Sequence, residues 1–88
     1  MDVIELTEQI EAEFESSRSE ARNIAEEASM FAECIEANPE GWEGPSQIDT
    51  DYNISRLNMA PEHLSTTGKW NWWAGINNYL GAPDHRIN

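Results

Sequence analysis

The sequence predicts a small, mainly α-helical domain, in which a long acidic amphipathic helix packs on a short Trp-rich C-terminal helical segment. Apolar residues in the first forty positions recur three and four apart, the period of a helix that buries one stripe. The segment from Lys69 to Leu80 repeats that spacing with aromatic residues. The predicted apolar stripe consists of Val3, Leu6, Ile10, Phe14, Ala21, Ile24, Ala25, Ala28, Phe31, Ala32 and Ile35.

The length of 88 residues limits the chain to one domain. A chain this short buries about 60–65% of the surface that its unfolded form exposes, so its core is modest. Pairing with a second copy or with a partner would enlarge that core, and a homodimer is one expectation. The predicted parts are an acidic helical part (1–40), a connector (41–47), an aromatic C-terminal part (48–83) and a mobile tail (84–88).

The serines of the acidic part leave two interpretations open. The apolar stripe continues in phase through Ser17, which favours one helix from Val3 to Ala37. Ser16 and Ser17 compete with the backbone for hydrogen bonds, and Ser17 has capping-box spacing to Glu20, which favours a second helix starting there. We favour one continuous helix and keep a break near Ser16–Ser17 as the alternative.

Pro39 ends the helical part, because the residue before a proline is pushed away from helical geometry. In the connector that follows, Gly41, Gly44 and Pro45 oppose regular structure. Trp42 stands out among these small and polar residues. It either folds back as a lid on the core, which we favour, or serves as an exposed anchor for a partner.

A shorter helix is predicted between Ile48 and Met59. Thr50 is the expected N-cap, and Asp51 in the first turn suits the positive end of the helix dipole. Pro61 interrupts this helix and is itself suited to the first position of a further short turn.

The aromatic segment from Lys69 to Leu80 is predicted as a helix, with Gly81 as its C-terminal cap and Pro83 as a stop. A β-hairpin is the competing interpretation, because two Trp residues alternate and an Asn-Asn pair could form the turn. That pair is a weaker turn signal than Asn-Gly, so we favour the helix. Its expected inward side chains are Trp72, Trp73, Ile76, Tyr79 and Leu80.

The charge of the chain is concentrated in its first half. Thirteen of the seventeen acids lie between Met1 and Glu43, with two of the five Lys and Arg residues, and the net charge is −12. That balance disfavours direct binding to nucleic acid or to an anionic membrane and favours a basic protein partner. No apolar run reaches the roughly 18 residues of a membrane span, and the N-terminus opens with acids instead of a secretion signal. With Cys34 as the lone cysteine, we expect a cytoplasmic location, that of the host cell if the protein is viral.

No motif of an enzyme, cofactor or metal site is complete. Asp49, Asp51 and Asn53 have the opening spacing of a calcium-binding loop, but the Gly and Glu that the loop needs further on are replaced by Ile54 and Ala60. The two histidines lie in no zinc-ligand spacing. Glutamates on a charged helix back are solvated, whereas a general acid must be desolvated. We therefore expect no enzyme activity and no cofactor.

Rows of carboxylates on the acidic part are the candidate functional site. Glutamates seven residues apart lie about 10.5 Å apart along a helix axis, and duplex DNA carries one phosphate charge per about 1.7 Å of its axis. Rows of such carboxylates are expected to fit a site that has evolved for phosphates. This distribution resembles, in charge and size, the small acidic proteins by which phages and plasmids block restriction enzymes or CRISPR complexes. We expect a non-enzymatic inhibitor that occupies the basic surface of a nucleic-acid-binding protein. Its predicted partner-binding residues are Glu8, Glu13, Glu15, Glu20, Glu26, Glu27, Glu33 and Trp42.

A structural or assembly subunit is the alternative function. The apolar stripe would then pair with a second copy or another helix, and Ala21 and Ala28 would permit close approach. The acidic rows would be only the solvated back of the helix. Salt dependence separates the two functions, because binding through carboxylates weakens with ionic strength and burial of Phe14, Ile24 and Phe31 does not.

Overall fold

The computed structural model describes residues 1–88, which form four α-helices and no strand. α1 comprises Val3–Phe14, α2 Arg18–Ala37, α3 Thr50–Met59 and α4 Thr66–Tyr79. The mainly α-helical architecture is confirmed, and the aromatic segment is a helix and not a β-hairpin. None of the four helices combines the length and the apolar composition needed to cross a membrane.

The acidic part is two helices, so the continuous helix is wrong and the alternative break is correct. Glu15 adopts the left-handed conformation, with φ of 53°, and ends α1. The Ser17 hydroxyl accepts the backbone N–H of Glu20 at 3.1 Å as the N-cap of α2. Reversal of the chain lets the two halves of the stripe pack on each other, which one straight helix would prevent, and such packing supplies most helical stability.

α1 and α2 are antiparallel, and we call this pair the acidic hairpin (3–37). Met1, just before α1, lines the same groove as Glu36 near the end of α2. At the other end Arg18 of α2 donates to Glu11 of α1 at 3.0 Å. A connection of three residues between the helices is typical of such pairs.

Side-chain caps fix the other helix starts. Asp2 accepts two backbone N–H groups of the first turn of α1, at 3.0 and 3.2 Å. Asp49, and not the predicted Thr50, caps α3, because its carboxylate accepts the N–H of Tyr52 at 2.8 Å and leaves Thr50 as the first helical residue. A carboxylate is favoured there by the helix dipole. α2 ends shortly before Pro39, as predicted.

The helices form a ring in which α1 and α4 each pack against both α2 and α3. The core between them contains 14 buried residues, from the four helices, the connector region before α3 and the residues just after α4. Every member of the predicted stripe takes part. Val3, Phe14 and Ala32 are partly buried at its edge and the others are buried, so the predicted stripe is confirmed.

α4 buries only part of the predicted face, because Trp73 is buried as predicted and two other aromatic residues are not. Trp72 and Tyr79 are 39% and 89% exposed, whereas Trp70 is fully buried and Trp73 nearly so. The aromatic run offers two helical stripes one step apart, and spacing alone does not distinguish them. A buried Trp favours a partner for its indole N–H. The indole nitrogen of Trp73 is buried without one, whereas Trp70 donates to the backbone carbonyl of His85 at 2.8 Å. That partner lies outside the helix, in the tail.

The chain reverses after α4 and returns beside that helix. Gly81 has φ of 113°, and a Cβ there would collide with the carbonyl of Gly41. The Glu43 N–H donates to the Leu80 carbonyl at 3.0 Å, which ties the connector to the end of α4. The tail (84–88), for which we predict mobility, is instead held against α4 by three hydrogen bonds.

Candidate functional site

The acidic hairpin directs most of its carboxylates to solvent. Seven of its ten glutamates are exposed and three are half-buried, so the excess negative charge lies on the surface. Glu8, Glu15 and Glu33 are exposed and take part in no ion pair. Glu26 is also exposed and accepts from Arg22 at 2.8 Å. These four and Glu13, which is also exposed, are the predicted glutamates that the fold leaves open to a partner.

The cations on the hairpin do little to offset this charge. Arg18 and Arg22 form ion pairs whose arginine side chains are 61% and 68% exposed. Exposed pairs of this kind contribute little to stability and remain solvated. In the tail, Arg86 bonds Asp84 at 2.7 Å, and its hydrogen bonds lower the pKa of the Asp84 carboxyl to about 2.

The remaining two cations serve the fold. The guanidinium of Arg56 lies 5.0 Å from the ring centroid of Tyr52 and 4.7 Å from that of Trp73, in cation–π contact with both. Burial raises the pKa of the Tyr52 phenol, and the neighbouring Arg56 acts against that rise. Lys69 Nζ donates to three backbone carbonyls of the turn at 61–64, at 3.0 to 3.1 Å. Neither cation neutralises a carboxylate of the hairpin.

Two predicted site residues hold the fold together instead of facing solvent. Glu20 Oε2 accepts the N–H of Thr67 at 3.1 Å and its hydroxyl at 2.8 Å, in the first turn of α4. Glu27 Oε2 lies 3.2 Å from Nδ1 of His85, and these two side chains are 20% and 12% exposed. The row Glu13, Glu20 and Glu27 predicted for one helix is therefore not a continuous exposed row.

An acidic groove of about 350 Å³ lies where α1 ends. Glu13 and Glu15 line it together with Glu62 from the connection between α3 and α4, and with Lys69, whose amino group donates to backbone carbonyls. Glu13 accepts the side-chain amide of Asn58 at 3.1 Å, which links α1 to α3. The fold thus brings two predicted residues together, and it adds a third acid that is far away in the sequence.

A second acidic groove, of about 500 Å³, lies at the opposite end of the hairpin. Glu33 lines it with Glu36, Asp49 and the polar residues of the connector. Sequence spacing could have found Glu36, which lies one turn after Glu33 on the same helix. Asp49 reaches the groove only because α3 begins there. Three carboxylates around one concave site produce a local field that favours a cationic side chain.

Trp42 lies over the edge of the core. Its ring centroid is 5.4 Å from that of Phe31 at an interplanar angle of 80°, and its indole N–H donates to the Pro45 carbonyl at 2.8 Å. The side chain is half-buried, so part of the ring faces solvent. This geometry agrees with the favoured lid interpretation, whereas partner binding by Trp42 stays a prediction.

Side chains with metal-binding or nucleophilic chemistry are scattered over the molecule. No group of three His, Cys, Asp or Glu residues is placed to hold a metal ion. Asp49 of the incomplete calcium motif uses its carboxylate as a helix cap. Cys34 is a free, half-buried thiol.

The run Trp70-Asn71-Trp72-Trp73 makes contacts that sequence reasoning missed. The indole N–H of Trp70 donates to the His85 carbonyl at 2.8 Å. The Asn71 side chain accepts the N–H of Ile87 and donates to its carbonyl, both at 2.7 Å. An asparagine inside an aromatic helical segment was the available signal, because Asn is a weak helix former and needs another reason to be there.

The same four letters name a protein family. A family model described as the WNWW domain matches residues 1–78. The chain belongs to the WNWW domain family. No curated protein and no solved structure matches it. The match covers α1, α2, α3 and all but the last residue of α4, and it ends before the tail that Trp70 and Asn71 hold.

Proposed function

We propose that this WNWW domain is a non-enzymatic binding protein whose acidic hairpin occupies a basic, nucleic-acid-binding surface of another protein. It would compete there with nucleic acid, as an inhibitor of the anti-restriction or anti-CRISPR kind does. The observation that supports this function is the uncompensated charge of the hairpin, with seven exposed glutamates and two arginines that are both already paired.

The acidic surface is expected to attract a basic partner before the two proteins touch, as well as to bind it in the complex. A net charge of −12 on a body of 35 × 25 × 21 Å gives a long-range field that speeds association with a basic protein. The Debye length is about 8 Å at physiological ionic strength, so this steering weakens as salt is added. Binding by the hairpin should therefore be fast and sensitive to salt.

The proposed contact residues are fewer than those that the sequence predicts. Glu8, Glu15, Glu26 and Glu33 stay in the set because they are exposed, and Glu13 stays at its groove. Glu36 joins the set beside Glu33. The set no longer includes the two glutamates that bond α4 and the tail.

The alternative function, assembly through the apolar stripe, has less support. Ile24, Phe31 and Ile35 lie in the core of the chain's own fold, where they are at most 3% exposed. A helix of another copy could reach them only if the helical ring opened. The apolar stripe is therefore already buried in the chain's own core.

A double charge reversal tests the proposal. The partner is first isolated at low ionic strength from cells that make the protein, and its complex is then measured by surface plasmon resonance with duplex DNA as competitor. We expect the double variant Glu8→Lys and Glu33→Lys to lose affinity on the order of 100-fold, mainly through slower association. The salt dependence of its remaining affinity should also be shallower.

Glu40→Lys together with Glu43→Lys is the matched control, because neither residue lines an acidic groove. Both residues are exposed and off the hairpin, and the change in net charge is the same. This control should lose little affinity. An equal loss in both variants would mean that only net charge counts, and undiminished binding in both, or binding that duplex DNA does not displace, would refute competition through the hairpin.

A further inference from the structure

We propose that the side chains of Trp70 and Asn71, which we call the clamp, form a binding site for an extended segment of a protein partner, and that the tail occupies this site from within the chain. All three hydrogen bonds of the clamp go to main-chain atoms of the tail, at His85 and Ile87. Recognition through the backbone does not depend on which side chains the bound segment carries. Other extended segments can therefore make the same three bonds.

The clamp imitates the edge of a β-strand. The Asn71 amide offers one acceptor and one donor to a single residue, Ile87, as a neighbouring strand does at a hydrogen-bonded pair. The Trp70 indole adds a bond to the carbonyl of the residue two positions earlier in the tail. In an extended chain, groups two residues apart point to the same side. This is how proteins that add a peptide strand to an exposed edge hold their ligands.

The two side chains of the tail that face the domain indicate the chemistry of the partner segment. Ile87 packs against the core cluster. His85 lies between the Glu27 carboxylate, at 3.2 Å, and the ring of Phe31, at 5.6 Å between centroids. The site therefore suits a segment with a basic side chain at the first position and an aliphatic one two residues later. The negative field of the whole chain favours the same basic segments.

The contact between the tail and the domain is not optimal, so another segment can bind the clamp more tightly than the tail does. His85 Nε2 is buried without a hydrogen-bond partner, and an unpaired buried nitrogen weakens the contact that contains it. The domain matched by the family model ends at residue 78, before the tail begins. The matched residues therefore include the clamp and do not include the tail.

A partner protein fits this site better than a second copy of the chain does. Ala82 is buried and bonded to the end of α4 through Asn77 and Asn78, which holds the chain just before the tail on its own molecule. Two copies with a charge of −12 each also repel one another. The contacts of the clamp are separate from the exposed glutamates of the hairpin, so this proposal and the proposed function can fail independently.

The experiment opens the clamp in the full-length chain and offers it a peptide. Ile87→Pro lies outside the four helices, and it removes both the N–H that donates to Asn71 Oδ1 and a side chain that packs against the core. The probe is a fluorescent peptide of residues 81–88, measured by fluorescence anisotropy. We expect the Ile87→Pro chain to bind it at least about tenfold more tightly than the unaltered chain, whose tail competes at a high effective concentration. Asn88→Pro, which keeps the N–H of residue 87, should behave like the unaltered chain.

A substitution in the clamp, combined with Ile87→Pro, should abolish the increase in peptide affinity. Added to Ile87→Pro, Asn71→Leu removes two bonds and should weaken peptide binding about tenfold or more. Trp70→Phe removes one bond together with part of a buried ring. Trp73→Phe is its matched control, because Trp73 is also buried but its indole N–H makes no hydrogen bond. Circular dichroism shows which variants keep the fold.

Three outcomes would overturn the inference. The first is equal binding of the peptide by the Ile87→Pro chain and the unaltered chain. The second is binding that neither Asn71→Leu nor Trp70→Phe weakens in folded protein. The third is a concentration-dependent dimer of the unaltered chain that Ile87→Pro abolishes, because that result would assign the clamp to a second copy.

Discussion

Glu20 illustrates how surroundings decide the role of a single residue. Its position on the flank of α2 is that of a solvated surface acid, yet its carboxylate bonds the N–H and the hydroxyl of Thr67 in the first turn of α4. A carboxylate at a helix N-terminus is stabilised by the unpaired N–H groups and by the helix dipole. Glu20 therefore stabilises the fold, whereas Glu26, six residues later, is an exposed surface residue.

Removal of the Glu20 carboxylate should destabilise the fold. We expect Glu20→Ala to lower the free energy of unfolding by about 1–3 kcal/mol, because two donors of Thr67 lose a charged acceptor. Glu26→Ala, which breaks only an exposed pair, should change it by less than about 0.5 kcal/mol. Urea denaturation of both variants measures the difference. Equal losses would show that the bond to Thr67 contributes nothing special.

Two glycines of the C-terminal part should respond to alanine in opposite ways. Gly81→Ala should destabilise the fold by more than about 1 kcal/mol, because φ is positive and the new Cβ meets the carbonyl of Gly41. Gly75 lies inside α4 with open space around its Cβ position, so Gly75→Ala should stabilise by roughly 0.5–1 kcal/mol. Thermal melts of the two variants give the sign of each effect. The same sign for both would contradict the assigned conformations.

At the scale of elements, the boundary between α1 and α2 matters most. One left-handed residue, Glu15, and one serine cap, Ser17, convert a predicted rod into the acidic hairpin. The hairpin buries its own stripe and leaves its carboxylates on the outside. The two acidic grooves at its ends exist only because the chain turns back on itself.

Loss of the cap at this boundary should weaken α2. Ser17→Ala removes the acceptor of the Glu20 N–H and should cost about 0.5–2 kcal/mol. Ser19→Ala, at an exposed position two residues further into α2, is the matched control and should be neutral or slightly stabilising. Guanidinium unfolding followed by circular dichroism compares the two. A Ser17→Ala chain as stable as the control would mean that packing alone fixes the turn.

At the scale of the whole molecule, charge and fold act against each other. A net charge of −12 on 88 residues favours solubility and steering, but it repels itself in the compact state. The cations reduce this repulsion only locally, because two of the five bond carbonyls or aromatic rings instead of carboxylates. The fold holds through a core of 14 buried residues.

Added salt should therefore stabilise the folded chain while it weakens binding through the hairpin. We expect the melting temperature to rise by a few degrees between about 10 mM and 500 mM sodium chloride, as screening reduces the repulsion among the glutamates. The Glu8→Lys and Glu33→Lys double variant should show a smaller rise. A melting temperature that falls with salt would indicate that the ion pairs outweigh the repulsion.

The sequence by itself determined the helical class, the apolar stripe from Val3 to Ile35 and the concentration of charge in the first half. These follow from spacing and composition, which depend on neighbours within one or two helical turns. The end of α2 before Pro39 and the helical state of the aromatic segment could also be predicted from neighbouring residues. The choice between one acidic helix and two was not, because the stripe runs in phase through Ser17 and only packing between its halves decides.

Tertiary structure alone decided which acids are free and which face of α4 is buried. Glu20 and Glu27 look like Glu26 and Glu33 in the sequence, and they differ only because α4 and the tail come to lie beside them. The buried indole of Trp70 on α4 likewise bonds an acceptor 15 residues away, the His85 carbonyl. A side chain's role depends on partners that folding brings from distant positions, and spacing along one segment carries no information about them.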